Sequence, residues 1–202
     1  MKKSLFYSKK FAYFATAVII ALSVILGGAR SLNSERVKAV ELFETGKETD
    51  RNIFQIAGDF FVNLLDGENS DTGGVLQCVR ERAETARDIA DIAEKHLGAD
   101  NEDVRMIKDA YNVVGKTKSI DEIYDYNRQI SSAADSIHRK LKAAGVSDTA
   151  LDSSFNDLNY KEDRIKSDRY NSKAKKYNNT LNDFPANIIR KLQLVDYLPD
   201  FS

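Results

Sequence analysis

The stretch Leu76 to Leu97, LQCVRERAETARDIADIAEKHL, decides the fold of this chain. Its apolar residues recur at alternating spacings of three and four, which is the heptad pattern of a helix with one buried side. Four consecutive positions of this seam are alanine, so another helix can approach closely. The seam positions are Leu76, Val79, Ala83, Ala86, Ala90, Ala93 and Leu97. The pattern therefore predicts a helix packed among other helices.

Helical patterns also flank this stretch on both sides. A first helix is predicted from Ser34 to about Leu65, and the turn-rich sequence GENSDTGG after it is predicted to reverse the chain. Downstream, a short helical segment at 104–114 precedes a longer helix. Ser119 is predicted to start that helix in a capping box, and Gly145 to end it.

A last long helix is predicted from Ser147 or Asp148 to Phe184. Proline lacks an N–H and clashes with the preceding helical turn, so Pro185 predicts a kink or a restart. The short tail that follows, as far as Leu198, is expected to pack back on the bundle or to lie on a membrane. Four main helices joined by short turns, plus this short C-terminal helix, predict an all-α fold with an antiparallel up-down bundle.

The N-terminus carries the signal of a membrane anchor. Residues 1–10 form a basic segment with four lysines, and residues 11–29 contain no charged side chain. As a helix, the stretch from Phe11 to Gly28 would span roughly 27 Å, close to the hydrocarbon thickness of a bilayer. A cleaved signal peptide is the alternative, because small residues at 27–29 suit a signal peptidase. Cleavable apolar regions are usually about 7 to 15 residues long, which favours an uncleaved transmembrane helix.

The charges on the two sides of this span bear on its orientation. Four lysines precede the span, whereas Arg30, Arg36 and Lys38 follow it. This bias favours a cytoplasmic N-terminus and an extracytoplasmic bundle domain at 34–201, attached to the cell membrane. Without the four lysines, 26 basic side chains face 31 acidic ones, so the domain is mildly acidic. We therefore expect no nucleic-acid partner.

The C-terminal region contains a spaced aromatic motif. Two Tyr-Asn pairs and one Phe-Pro pair recur at intervals of seven residues, about two helical turns, so the three rings are predicted to lie on one side of a helix. Core packing is the favoured interpretation of these rings, and direct contact with a partner is the alternative. The motif residues are Tyr170, Asn171, Tyr177, Asn178, Phe184, Pro185, Asn187 and the terminal Phe201.

This motif resembles the C-terminal signature of the LemA family, in which Phe-Pro-x-Asn follows the two Tyr-Asn pairs and a last Phe closes the sequence. A second similarity lies at 54–65, where Asp59 and Asn63 match an Asp and an Asn of the family. We expect this pair to make structural hydrogen bonds to another helix, with ligand binding as the alternative. The resemblance implies a bacterial protein with one N-terminal membrane helix and a helical-bundle domain. It implies no settled molecular activity.

Residues suited to catalysis or metal binding are few. The chain has two histidines, and Asp135-x-x-His138 is only one imperfect half of the paired motif that a di-metal bundle needs. His96 lacks a carboxylate three residues earlier. The single cysteine, Cys78, lies beside the apolar seam and is expected to be a half-buried, unreactive thiol. The sequence also contains no nucleophile elbow or phosphate-binding loop. We therefore expect neither enzymatic activity nor a cofactor.

A basic run between Lys161 and Lys176 contains seven basic residues against three acidic ones. Contact with anionic lipid is one interpretation, and pairing with the acidic residues of the second helix is the favoured one.

These observations favour a non-enzymatic scaffold or interaction module at the bacterial membrane. Its expected partners are the lipid bilayer, through the N-terminal helix, and membrane proteins or further copies of itself. An extracytoplasmic sensor with a ligand pocket between bundle helices is the alternative.

Overall fold

A computed structural model of the protein describes residues 9–47, 73–146 and 149–202. Within these ranges the secondary structure is entirely helical, as the all-α prediction requires. The helices are α1 (Lys9–Thr45), α2 (Val75–Leu97), α3 (Glu102–Val114), α4 (Ile120–Ala143), α5 (Thr149–Ser167), α6 (Arg169–Thr180) and α7 (Ala186–Lys191).

Helix α1 joins the predicted anchor and the start of the predicted first bundle helix without a break. Its 37 residues extend over about 55 Å. Most large apolar side chains of its N-terminal half are exposed, whereas Leu32, Ala39, Leu42 and Phe43 in its C-terminal half are buried in the core. One helix thus contains both a lipid-compatible surface and a core element.

The first bundle helix ends earlier than predicted. Gly46 adopts a φ of 68°, in the left-handed region that favours glycine, and α1 stops at Thr45 rather than near Leu65. Asp59 and Asn63, together with the rest of that predicted helix, lie outside the described residues.

Helix α2 is central to the bundle and packs against α1, α3, α4 and α5. The five inner positions of the predicted seam are buried, and Leu76 and Leu97 at its ends are half-buried. Lys108 of α3 pairs with both Asp91 and Glu94 of α2, which fits antiparallel neighbours joined by a short turn. This arrangement is the helical bundle that the heptad pattern predicted.

The start of α2 lies directly against the end of α1. A Cβ atom on Gly74 would lie 2.4 Å from the carbonyl oxygen of Phe43 and 2.6 Å from the nitrogen of Gly46. Backbone atoms cannot move aside as a flexible side chain can. Only glycine therefore permits this approach of the two helices.

The predicted last long helix is two helices. Asp168 has an extended backbone between α5 and α6, and its side chain accepts a hydrogen bond from the N–H of Tyr170 at 2.8 Å. An N-cap of this kind starts a new helix. The chain therefore breaks between the buried residues Ile165 and Tyr170, and α6 packs on α1 with its buried side in the same core.

The chain breaks again before Pro185. Helix α6 ends at Thr180, and α7 starts at Ala186 after a cis peptide bond between Phe184 and Pro185. Phe184 is consequently not on α6 and is 76% exposed. The prediction that three rings line one side of a single helix is wrong at this third position, because the helix stops before reaching it.

Candidate functional site at the junction of α1, the C-terminal tail and the bundle

The second Tyr-Asn pair holds the C-terminal tail through its amide. Asn178 donates a hydrogen bond from Nδ2 to the carbonyl oxygen of Leu198 at 2.7 Å, and its Oδ1 accepts one from the N–H of Leu198 at 2.8 Å. A side-chain amide bonded to both backbone groups of one residue acts as a strand-like partner for an otherwise irregular segment. Leu198 is thereby fixed with its side chain buried.

The first pair holds the end of the tail and also the α5–α6 corner. Asn171 accepts a hydrogen bond from the N–H of Phe201 at 2.8 Å. Its Nδ2 donates to the carbonyl oxygens of Ile165 and Lys166 at 2.6 and 3.0 Å, at the C-terminal end of α5. Asn171 is buried, so each of these bonds satisfies a polar group that water does not reach.

An aromatic cluster joins the tail to three helices. The ring of Phe201 lies 5.6 Å from Phe43 of α1, 5.1 Å from Tyr124 of α4 and 6.0 Å from Tyr170 of α6, between ring centroids. Tyr170 also donates a hydrogen bond to the carbonyl oxygen of Pro199 at 2.9 Å. Burial raises the pKa of this phenol well above its usual range, so Tyr170 acts as a neutral donor.

The remaining motif residues do not converge on the tail in this way. The Tyr177 ring is buried, but its hydroxyl has no hydrogen-bond partner among residues 9–47, 73–146 and 149–202. The Oδ1 atom of Asn187 is likewise buried and unpartnered within those ranges. Phe184 points to solvent and Pro185 precedes α7. Tyr170, Asn171 and Asn178 thus hold the C-terminal tail, and we call them the tail clamp. Phe184 and Pro185 form an outward-facing turn.

Helix α7 packs against the end of the uncharged part of α1. A Cβ on Gly28 would lie 2.7 Å from Cδ1 of Ile189 and 4.0 Å from Cγ of Pro185. Ile25 and Ala29 are partly buried against the same core. The bundle therefore contacts α1 from the last turn of the predicted span onward.

A group of exposed apolar side chains surrounds α7. We call it the C-terminal apolar patch; its members are Phe184, Ile188, Leu192, Leu194 and Tyr197, with exposures of 39 to 76%. Outside α1, the described residues include one further exposed large hydrophobic side chain, Tyr160. Exposed apolar surface on the bundle is thus concentrated at the end that contacts the predicted span.

A buried arginine lies in the middle of the bundle and was not predicted from the sequence. Arg82 of α2 is fully buried and donates from Nη1 to the backbone and side-chain oxygens of Asn127 at 3.1 and 2.7 Å. Its Nη2 donates to Ser131 at 2.9 Å and to the Glu162 carboxylate at 2.7 Å. Its Nε donates to the Leu158 carbonyl at 3.4 Å. The guanidinium therefore connects α2, α4 and α5.

The charges of this network compensate each other. Burial lowers the pKa of Arg82, although the neighbouring Glu162 carboxylate opposes that effect. Burial alone would raise the pKa of Glu162, but the hydrogen bond from Lys166 and the charge of Arg82 outweigh it and lower the pKa. The lowered pKa of Glu162 favours its ionised form, and arginine side chains stay protonated in proteins. A buried guanidinium with all its donors satisfied, paired to a half-buried carboxylate, orients the helices that it joins.

The sequence spacing contains a signal for the burial of Arg82. Arg82 is three residues after Val79 and four before Ala86, so it shares the buried side of α2. Asn127 and Ser131 lie one turn apart on α4, and both bind Arg82. A charged residue between seam positions usually faces solvent, so the heptad seam alone does not predict the burial of Arg82.

The residues considered for catalysis occupy ordinary structural positions. His138 stacks on Phe155 with ring centroids 4.4 Å apart, and His96 is exposed near the end of α2. Cys78 is more fully buried than expected, and burial raises the pKa of its thiol. In the described ranges, no three His, Cys, Asp or Glu side chains form a group that could hold a metal ion.

Surface depressions between helices lie away from the tail clamp. One of about 590 Å³ is lined mainly by polar and charged side chains of α3 and α4, including Arg105, Asp109 and Gln129. Another, of about 360 Å³, lies between the end of α4 and the start of α5 and includes His138 and Asp152.

Two lysines of the basic run pair within their own helix. Lys161 binds Asp157 at 2.7 Å, and Lys166 binds Glu162 at 2.7 Å, each one turn earlier on α5. The acidic Asp91 and Glu94 of α2 instead pair with Lys108 of α3. Asp91 and Glu94 are thus paired with α3, and not with the basic run as the favoured interpretation had it.

No protein-family model matches this chain, and comparison with curated proteins and with solved structures finds no similar protein.

Proposed function

We propose that this chain is a single-pass, membrane-anchored protein whose helical bundle serves as a non-enzymatic interaction module. In this proposal, α1 crosses the cell membrane and the bundle lies on the extracytoplasmic side. The spacing of the C-terminal motif, which resembles that of the LemA family, supports the same interpretation.

The continuity of α1 carries the proposal. The helix is long and apolar enough to cross a membrane, with a mean hydropathy of 2.2 over its most apolar window, and none of that window is buried. An apolar core helix of a soluble protein would be covered by its neighbours. In α1 the apolar window is exposed, and the part that other helices cover is the C-terminal one, from Leu32 to Thr45.

The contacts of the C-terminal motif support a structural rather than a catalytic role for its polar residues. Asn171, Asn178 and Tyr170 use their polar atoms on backbone groups of this chain. A general acid or nucleophile must keep a reactive group accessible to a substrate. These three side chains are occupied in holding the tail.

The anchor is tested by alkaline extraction of membranes and by the intact mass of the full chain. We expect the protein to stay in the membrane pellet with residues 1–29 still attached. The variant Ile20→Arg should reduce membrane retention, because a central arginine costs about 2.5–3.5 kcal/mol on insertion. Tyr160→Arg is the matched control, since Tyr160 is exposed on the bundle. A soluble product lacking the first 29 residues would establish a cleaved signal peptide and contradict the anchor.

The interaction role is tested by crosslinking the full-length anchored protein in cells. A photoreactive residue at Tyr160, which is 61% exposed, samples the bundle surface. Reproducible capture of a particular membrane protein, lost when the bundle is unfolded by a core variant, would support the scaffold. Capture of only further copies of this chain would replace the scaffold with a homo-oligomeric structural element. Binding of a small molecule to the purified protein would favour the sensor.

A further inference from the structure

We propose that the C-terminal apolar patch docks into the interfacial layer of the same bilayer that α1 crosses. The occupant is lipid, and the bundle thus touches the membrane at two places, through α1 and through the turn and tail around α7. This inference rests on the membrane anchor proposed above.

The depth of α7 along α1 is the first argument. The uncharged stretch ends at Ala29, and Arg30 is the first charged residue after it. Ile189 contacts Gly28, and packing extends to Ile25, one helical turn inside that stretch. A bilayer that covers the exposed apolar residues of α1 therefore reaches the level of α7.

The composition of the patch is the second argument. Phe184 is 76% exposed, and Leu192 and Leu194 are each 53% exposed. Tyr197 adds an amphipathic ring, and the Arg190 guanidinium lies 4.8 Å from the centre of that ring. Aromatic rings and aliphatic side chains beside a cation, here on a short helix and its flanking turns, are typical of structures that lie in the membrane interface.

The charge balance identifies the force that holds the patch. From residue 183 to residue 200 the sequence has two basic side chains, Arg190 and Lys191, against three acidic ones, Asp183, Asp196 and Asp200. Attraction to anionic headgroups is therefore weak. Insertion depends on apolar contact, so it should occur on zwitterionic lipid and persist at high salt.

Lipid is favoured over a second protein copy because the patch continues an apolar surface that already faces lipid. Val24, 46% exposed, lies one helical turn before Gly28 on the same side of α1. A bilayer in contact with Val24 lies beside α7 without any further association step.

Tryptophan scanning tests the inference, because the natural chain contains no tryptophan. Single variants Phe184→Trp and Leu192→Trp report on the patch, and Phe14→Trp reports on the span. Tyr160→Trp is the matched control, being an exposed apolar position outside the patch. Each full-length variant is reconstituted into phosphatidylcholine vesicles with bromine atoms on the acyl chains near the headgroup, which quench indole fluorescence on contact.

We expect F184W and L192W to lose emission in brominated vesicles relative to ordinary ones, with blue-shifted spectra and no change at high salt. Y160W should be unaffected. Quenching of F14W without quenching of F184W and L192W would refute lipid docking while leaving the anchor intact. Absence of quenching at all four positions would instead refute the anchor. Shielding of F184W and L192W from both bromine and aqueous iodide would assign the patch to a protein contact and overturn the inference.

Discussion

The two tyrosines of the motif offer a matched test of how it works. Tyr170→Phe and Tyr177→Phe each remove one hydroxyl from a buried ring and keep the ring itself. The Tyr170 hydroxyl donates to the carbonyl of Pro199 at 2.9 Å, whereas the Tyr177 hydroxyl is buried without a partner in the described part of the chain. The two substitutions should therefore change the free energy of unfolding in opposite directions.

The hydrogen bonding of each hydroxyl sets the size of the expected change in unfolding free energy. Tyr170→Phe loses one bond worth about 1 kcal/mol, and the half-buried Pro199 can recover part of it from water. Tyr177→Phe removes an unsatisfied polar group and should be neutral or stabilising by up to about 1 kcal/mol. We therefore expect a gap of up to about 2 kcal/mol in unfolding free energy between the variants. For a chain of this size, that upper limit corresponds to a difference in Tm of roughly 4–8 °C.

Thermal and urea unfolding of the full chain in mild detergent, followed by far-UV circular dichroism, measures this gap. Equal destabilisation by both substitutions would refute the reasoning, because it would require a partner for the Tyr177 hydroxyl. Crosslinking of the same two variants separates packing from recognition. Loss of partner capture by Tyr177→Phe at an unchanged Tm would show that this hydroxyl contacts a partner directly.

Three further predictions follow from the packing. Arg82→Met should cost about 3 kcal/mol in urea unfolding, because it removes five hydrogen bonds between α2 and its neighbours and leaves Asn127 Oδ1 and the Glu162 carboxylate without the guanidinium; a cost below about 0.5 kcal/mol would show that the network adds no net stability. Gly74→Ala should lower the Tm or prevent folding, whereas Gly115→Ala, whose Cβ would meet its nearest atom at 3.4 Å, should be nearly neutral; equal Tm values would contradict the close approach. The lowered pKa of Glu162 stabilises the fold above its unfolded pKa, so Tm should fall as the pH drops below about 4, and Glu162→Gln should weaken that dependence.

Much of the fold could be predicted because the heptad seam of α2 is long and regular. Such a pattern has one low-energy solution, burial against other helices. The ends of helices were harder to predict. Thr45 and Asp168 end or interrupt patterns that apolar spacing alone would continue, since the deciding interactions are a left-handed glycine and a single capping carboxylate.

The motif was predictable as a packing element but not as a clamp. The sequence contains Asn171 and Asn178 beside their tyrosines, yet their partners lie 20 to 30 residues later in an irregular tail. Tail segments have no periodicity that would reveal such long-range pairing. The predicted position of Phe184 was wrong for a related reason, because the direction of its ring depends on where the preceding helix ends.

The unbroken α1 has a geometric consequence once its apolar half lies in a bilayer. From Gly28 to Thr45 the helix rises about 25 Å, and the bundle packs along that length. No hinge is present in α1 between its apolar half and its core half, so rotation of the helix about its axis turns the bundle with it. The bundle would then stay close to the membrane surface in a fixed orientation relative to α1. It would contact mainly molecules that diffuse in the same membrane.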